Sequence, residues 1–116
     1  MKDVTEGLQR IRNFLHAQSL GVLGDIARER KAQDEKWGEQ NHPDGTGRPM
    51  DGDVAARARD ECDAHANNGT LEWRHILHEE VCEALAESDP EKLYVELIQV
   101  AAVAAAWAEA VKRRVA

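Results

Sequence analysis

Apolar residues recur at helical spacing from the beginning of the chain. The first predicted helix, which ends near residues 19–21, has one apolar face made of Val4, Leu8, Ile11 and Leu15. A second helix is predicted over residues 22–37, where charged residues outnumber apolar ones. This helix is therefore expected to be half solvated, with Ile26 and Ala27 among its few contacts with a core.

A loop rich in glycine and proline separates these helices from three more. Residues 38–49 contain three glycines and two prolines, which disfavour helix. Further helices are predicted over 53–67, over 71–88 with Thr70 as N-cap, and from Pro90 to about Arg113. No segment has a convincing strand pattern. The sequence thus predicts an all-α fold, a bundle of four to five helices in a single domain spanning residues 1–116.

Composition narrows the class of protein. A formal charge of −7 leaves no excess of lysine and arginine to neutralise nucleic acid, so a nucleic-acid partner is not expected. The longest apolar stretch, Val100–Ala110, has about half of the roughly 20 residues that a membrane span needs. The N-terminus does not resemble a signal peptide. We expect a cytoplasmic protein with reduced cysteines and no membrane association.

Carboxylates border the predicted core on two helices. On the fourth predicted helix, Glu80 and Glu83 fall about 60° and about 120° to one side of Leu77. The buried face of that helix is expected to contain Leu77, Val81, Ala84 and Leu85. The fifth helix is expected to bury a seam of Leu93, Leu97, Ala101, Ala104 and Ala108. Glu96 lies beside this seam, and Gln99 follows it one turn later.

An antiparallel pair of these two helices would bring their acidic edges together. Burial of like charges is costly, and a divalent cation is the simplest way to offset that cost. Carboxylate and amide oxygens are hard ligands, which suit Mg²⁺ or Mn²⁺ better than zinc. A zinc site is a separate alternative, with ligands from Cys62-x-x-His65 and His78-x-x-x-Cys82. Glu72-x-x-His75 is half of a di-iron motif, but that unit occurs only once.

The acidic pattern also resembles a family signature. Glu79-Glu80-x-x-Glu83, then twelve residues, then Glu96-x-x-Gln99 resembles the Glu-Glu-x-x-Glu and Glu-x-x-Asp motifs of MazG-like nucleoside triphosphate pyrophosphohydrolases. Segments 29–42, 73–80 and 97–103 resemble small stand-alone members from phage and bacteria. The resemblance covers about residues 22–110. It implies an all-α bundle, dimeric or tetrameric, that cleaves an NTP or dNTP between the α and β phosphates.

The resemblance also implies roles for particular residues. Glu80, Glu83 and Glu96 would hold Mg²⁺, with Mn²⁺ as a possible substitute, and Glu79 and Glu80 would form the catalytic pair of the motif. Glu79 would position or deprotonate the attacking water. Gln99 stands where the family has aspartate, so the fourth ligand brings an oxygen but no charge. The alternative is a catalytically weak helical protein that binds a nucleotide or a protein partner in the same groove.

Candidate substrate contacts lie near the end of the second predicted helix. An aromatic ring with neighbouring amides can stack on a base and hydrogen-bond to it, which suggests Gln33, Trp37, Gln40 and His42. Cations that could contact phosphates are Lys36, Arg30 and Arg48. The simpler interpretation makes Trp37 a core residue and the others solvated surface residues.

Overall fold

The computed structural model describes the backbone of residues 2–115 and the side chains of that range except residues 2–3 and 14–19. Its helices, in chain order, are α1 (Lys2–Trp37), α2 (Asp51–Asn68), α3 (Trp73–Ala86) and α4 (Pro90–Val115). Residues 2–115 contain no strand. The all-α prediction is therefore confirmed.

Helix α1 is continuous where the sequence pattern predicts two helices. The predicted break near residues 19–21 is wrong, because Gly21 lies inside the helix. A glycine within a helix costs about 1 kcal/mol relative to alanine, which neighbouring helical residues can outweigh. A Cβ on Gly21 would lie 3.4 Å from Lys112 Nζ, which is an ordinary van der Waals contact. The helix ends at Trp37, and the next residue, Gly38, has φ +69° and donates its N–H to Asp34 O at 2.8 Å.

The apolar face predicted for the first helix is exposed where its side chains are described. Val4, Leu8 and Ile11 are 66%, 53% and 57% exposed. The fourth member of this face, Leu15, lies outside the described side chains. The chain itself therefore does not cover this face at Val4, Leu8 and Ile11.

The chain divides into two compact units. The first comprises residues 1–41 and 108–116, and the second comprises residues 42–107. Helices α2 and α3 pack together within the second unit through small side chains. The core cluster there consists of Ala55 and Ala58 from α2 and Cys82 from α3, with Ala86 packed against it. Small residues on both helices allow their backbones to approach closely.

The start of α3 differs from the prediction. The helix begins at Trp73, and its N-cap is Glu72 rather than Thr70. The backbone N–H of Glu72 donates to His75 Nδ1 at 3.0 Å, so a histidine three positions into the helix binds back to the cap residue. Thr70 instead lies with its hydroxyl 2.7 Å from His65 Nδ1. Helix α3 ends at Ala86, before the predicted end at residue 88.

The loop before α2 is tied to the end of α3 by one glycine. Gly47 donates its N–H to Leu85 O at 2.8 Å, which satisfies a carbonyl in the last turn of α3. Its φ is +72°, and a Cβ at this position would lie 2.7 Å from Ser88 Cβ. Both the backbone conformation and the lack of space favour glycine here.

Most of the seam predicted on the last helix is exposed. Leu93 is buried with only 6% exposure, but Leu97 is 51% exposed, and Ala101, Ala104 and Ala108 are exposed as well. Leu85, predicted to lie on the buried face of α3, is 50% exposed. Ala84 is buried as predicted, Leu77 and Val81 are half-buried, and the other buried positions on α3 are His75 and Cys82. Helical periodicity identifies an apolar face correctly, but it does not show what covers that face.

Helix α4 also meets a length and composition test for a membrane span. The test is met by the helix Pro90–Val115, with a mean hydropathy of 1.4 over an 18-residue window. The sequence expectation of no membrane span considered only the stretch 100–110, and this single helix does not test it. One such helix is weak evidence for a membrane protein, since an apolar interface helix of a soluble oligomer has the same composition.

Candidate metal centre

Three glutamates of the predicted motif converge in the second unit. Glu80 and Glu83 stand three positions apart on α3, and such residues are neighbours on a helix surface. Glu96 reaches them from α4. Each contributes a carboxylate oxygen, and the three oxygens lie within 4.8 Å of one another. The structure thus brings together three of the four residues predicted as metal ligands.

The burial of these carboxylates makes the cluster electrostatically costly. Glu80 Oε2 and Glu96 Oε2 are buried without a hydrogen-bond partner. Burial raises the pKa of Glu80, and the negative charges of Glu83, Glu79 and Glu96 raise it further. Three carboxylates with two unpartnered oxygens match the donor set that Mg²⁺ and Mn²⁺ prefer. The residues present therefore fit a hard divalent cation.

Gln99, the fourth predicted ligand, differs in its surroundings. It lies one turn after Glu96 on α4 and is exposed, whereas the three glutamates are half-buried. Its amide oxygen is a neutral ligand, so it would add no charge to the cluster.

Glu79 is held by groups on α2. Its Oε1 lies 3.9 Å from Arg59 Nε, and its carboxylate is near enough to the Cys62 thiol to raise the pKa of that group. Burial has the larger effect, and together with the neighbouring carboxylate of Glu79 it raises the pKa of Cys62 to about 11. Cys62 is thus a neutral donor at pH 7 and not a thiolate. These contacts fix a carboxylate beside the three-glutamate cluster and within electrostatic reach of Glu80.

Arg59 is a site residue that sequence reasoning missed. Its Nη2 donates to Glu83 Oε1 at 3.0 Å, although the two residues are 24 positions apart in the chain. Its side chain is 57% exposed and those of Glu79 and Glu83 are 20% exposed, so a largely solvated cation covers two partly buried carboxylates. No local motif marks Arg59, because only the packing of α2 against α3 creates the contact.

The predicted substrate residues fall into both units. An open concave surface in the first unit is lined by several residues that include Gln33, Lys36, Trp37 and Gln40. Trp37 is 61% exposed and is not a core residue within this chain. Lys36 Nζ lies 4.9 Å from the centroid of the Trp37 ring, a cation–π distance. His42 is exposed and belongs to the second unit.

The two arginines proposed for phosphate contact have their own neighbours. Arg30 bonds to Gln33 Oε1 and Asp34 Oδ1, each at 2.9 Å. These are contacts within one turn of α1, typical of a solvated helix surface. The backbone N–H of Arg48 donates to Asp51 Oδ2 at 2.8 Å, at the beginning of α2. Its side chain is exposed.

A second group of side chains with metal-binding atoms makes structural contacts instead of binding a metal. Atoms of Glu61, His65 and His75 also lie within 4.8 Å of one another, and the two imidazole rings stack at 3.9 Å. However, His75 Nδ1 accepts the backbone N–H of Glu72, so the neutral ring carries its proton on Nε2. A protonated Nε2 cannot bind a metal. His75 therefore binds the beginning of α3, whereas His65 contacts Thr70 after the end of α2.

The predicted zinc ligands do not converge. Among the described residues, neither group of possible metal ligands includes Cys62, Cys82 or His78. Both cysteines are buried free thiols, and burial raises the pKa of each thiol. Cys82 Sγ lies 3.5 Å from His78 Nε2, a contact within one turn of α3. Both cysteines act as small apolar residues of the core.

Comparison of this chain with protein-family models, with curated proteins and with solved structures found no match. The MazG-like resemblance therefore rests on the motif and the flanking segments quoted above. The functional argument rests on the acidic cluster and its surroundings.

Proposed function

We propose that this protein is a divalent-metal-dependent hydrolase that converts a nucleoside triphosphate, NTP or dNTP, to the monophosphate and pyrophosphate. One observation carries the proposal: Glu80, Glu83 and Glu96 converge within 4.8 Å, and two of their oxygens are buried without a partner. Such an arrangement is costly without a cation. The resemblance to MazG-like enzymes supplies the reaction type.

The residues of the cluster and the neighbouring Glu79 would have different roles in the reaction. Glu80, Glu83 and Glu96 would hold Mg²⁺ or Mn²⁺. A cation there neutralises charge on phosphate oxygens and lowers the pKa of a bound water. Glu79, which lies 3.9 Å from Arg59, would accept the proton of the attacking water. Phosphoryl transfer needs little more than such positioning and charge stabilisation.

The residues predicted near the end of α1 are proposed as nucleotide contacts on the sequence pattern and the resemblance alone. The exposed ring of Trp37 offers a face on which a base can stack. Lys36, beside that ring, offers a cation to phosphates, and Gln33, Gln40 and His42 offer polar groups for a base.

We further propose a homodimer or homotetramer. The exposed apolar residues are concentrated on α1 and α4. On α4 they include Tyr94, Val95, Leu97 and Ile98, each more than half exposed. Several large apolar side chains exposed along one helix are typical of a surface that binds another protein chain. Light scattering in detergent-free buffer should show an oligomer at micromolar concentration, and a monomer there would refute this assembly.

The experiment that tests the activity is a panel of NTPs and dNTPs with Mg²⁺ or Mn²⁺. Phosphorus NMR would identify monophosphate and pyrophosphate as the products. Glu80→Gln and Glu83→Gln should abolish hydrolysis and retain helical circular dichroism. Glu91→Gln, on the exposed first turn of α4, removes an equal charge outside the cluster and should keep full activity. Full activity in either cluster variant would refute the assigned site.

The same panel distinguishes the proposed enzyme from the alternative, a protein that only binds nucleotides. Metal-dependent nucleotide binding without any product would identify a nucleotide-binding protein rather than an enzyme. The neutral Gln99 in place of aspartate is the feature that favours this alternative, because it leaves less negative charge to hold a cation.

A further inference from the structure

Arg59 occupies one of the carboxylates assigned to the metal. Its Nη2 lies 3.0 Å from Glu83 Oε1, and its Nε lies 3.9 Å from Glu79 Oε1. In contrast, Glu80 and Glu96 each have a buried Oε2 without a partner. The positive charge of Arg59 therefore neutralises only one side of the acidic cluster.

An arginine and a divalent cation compete for the same carboxylate. Arginine cannot lose its charge in a protein, so it leaves Glu83 only by moving. The Arg59 side chain is 57% exposed, which allows that movement. Guanidinium groups also bind phosphate oxygens through paired N–H donors, and a triphosphate beside the cation would offer such acceptors.

We propose that Arg59 is an exchangeable counter-ion. It holds Glu83 in the metal-free protein and, once a divalent cation takes that carboxylate, turns to the phosphates of the substrate. The phosphate step rests on the proposed function, whereas the competition needs only the proposed metal site and not the hydrolysis. Arg59 is thus a positioning residue in the metal-free state and a phosphate ligand in the loaded state.

The test compares Arg59→Gln with a matched control. Arg57→Gln removes the same charge from an exposed position of α2, about 200° around the helix. Mn²⁺ alone would be titrated and followed by the electron paramagnetic resonance of the free ion. Inorganic triphosphate would then be titrated into the Mn²⁺-loaded protein by calorimetry, which removes base recognition from the measurement.

The two titrations should change in opposite directions. Arg59→Gln should bind Mn²⁺ about two- to fivefold more tightly, as expected for loss of a largely exposed ion pair. It should bind triphosphate about tenfold more weakly, because a charge-assisted hydrogen bond is lost. Arg59→Lys should restore part of the triphosphate affinity. A purely structural role would weaken both affinities together.

Each other outcome has a defined meaning. An unchanged or weaker Mn²⁺ affinity in Arg59→Gln, with hydrolysis intact in the wild type, overturns this proposal and leaves the proposed function standing. Tighter Mn²⁺ binding with unchanged triphosphate affinity overturns the exchange to phosphate. A wild-type protein that binds no Mn²⁺ refutes both the proposed metal site and the role of Arg59.

Discussion

Replacing Glu80 by glutamine should stabilise the metal-free protein while removing its response to metal. Glu80 shares the cluster with Glu83 and Glu96, and one oxygen of each lies within 4.8 Å of the others. Glutamine has nearly the same size as glutamate but no charge. The substitution therefore removes like-charge repulsion with little change in packing.

The expected magnitude follows from these distances. Two unit charges 4.8 Å apart repel by about 0.9 kcal/mol at the dielectric constant of water and by about 3.5 kcal/mol at an effective value of 20. Glu80 is half-buried, which places each repulsion between these limits. Arg59 offsets part of the charge of Glu83, and the new amide must find hydrogen-bond partners. We expect a net gain of about 1–2 kcal/mol in the free energy of unfolding.

Thermal melting by circular dichroism measures both parts of this prediction. In EDTA, Glu80→Gln should melt above the wild type, by about 3–6 °C for each kcal/mol in a chain of this size. With millimolar Mn²⁺, the wild type should gain stability because a ligand that binds only the folded state shifts the equilibrium. The variant should gain little. Glu91→Gln, outside the cluster, should respond to Mn²⁺ as the wild type does.

A lower melting temperature for Glu80→Gln in EDTA would refute this reasoning. It would mean that neighbouring groups favour the charged form of Glu80 over the neutral one. An undiminished Mn²⁺ response in the variant would separately remove Glu80 from the metal site.

Three further predictions use the same melting assay. The pKa of Glu80 is raised from its ordinary value of 4.5. The contribution of Glu80 to the stability of the metal-free protein should therefore be greatest below pH 4.5 and fall as the pH rises through the raised pKa. A difference in melting temperature between the wild type and Glu80→Gln that does not change with pH would contradict this. Gln99→Asp should enlarge the Mg²⁺ response, and an unchanged response would mean that Gln99 points elsewhere. Gly47→Ala should lower the free energy of unfolding by about 2–4 kcal/mol. The positive φ strains the alanine, its Cβ is crowded against Ser88, and the hydrogen bond to Leu85 is weakened. Gly45→Ala, with φ +70° and no close neighbour, should cost only about 1–2 kcal/mol; equal costs would disprove the crowding.

Local sequence determined the helices and the spacing of the acidic residues. Period and loop composition predict the helical segments, because a 3.6-residue repeat and the backbone limits of glycine and proline act over a few residues. The same spacing puts Glu80 and Glu83 one turn apart on α3 and marks Glu96 as the acidic residue facing an apolar surface. The ends of helices were less well predicted, since the cap formed by Glu72 and His75 follows no common residue pattern.

Only the tertiary structure decided which groups meet and which faces stay open. Arg59 contacts Glu83 across 24 positions of sequence, and Glu79 Oε1 lies 3.9 Å from Arg59 Nε, because α2 packs against α3. Conversely, Leu97 has the periodicity of a core residue and is 51% exposed. Periodicity records that a helix face is apolar, but its burial depends on which surface meets it. That surface is set by long-range packing, which no local pattern contains.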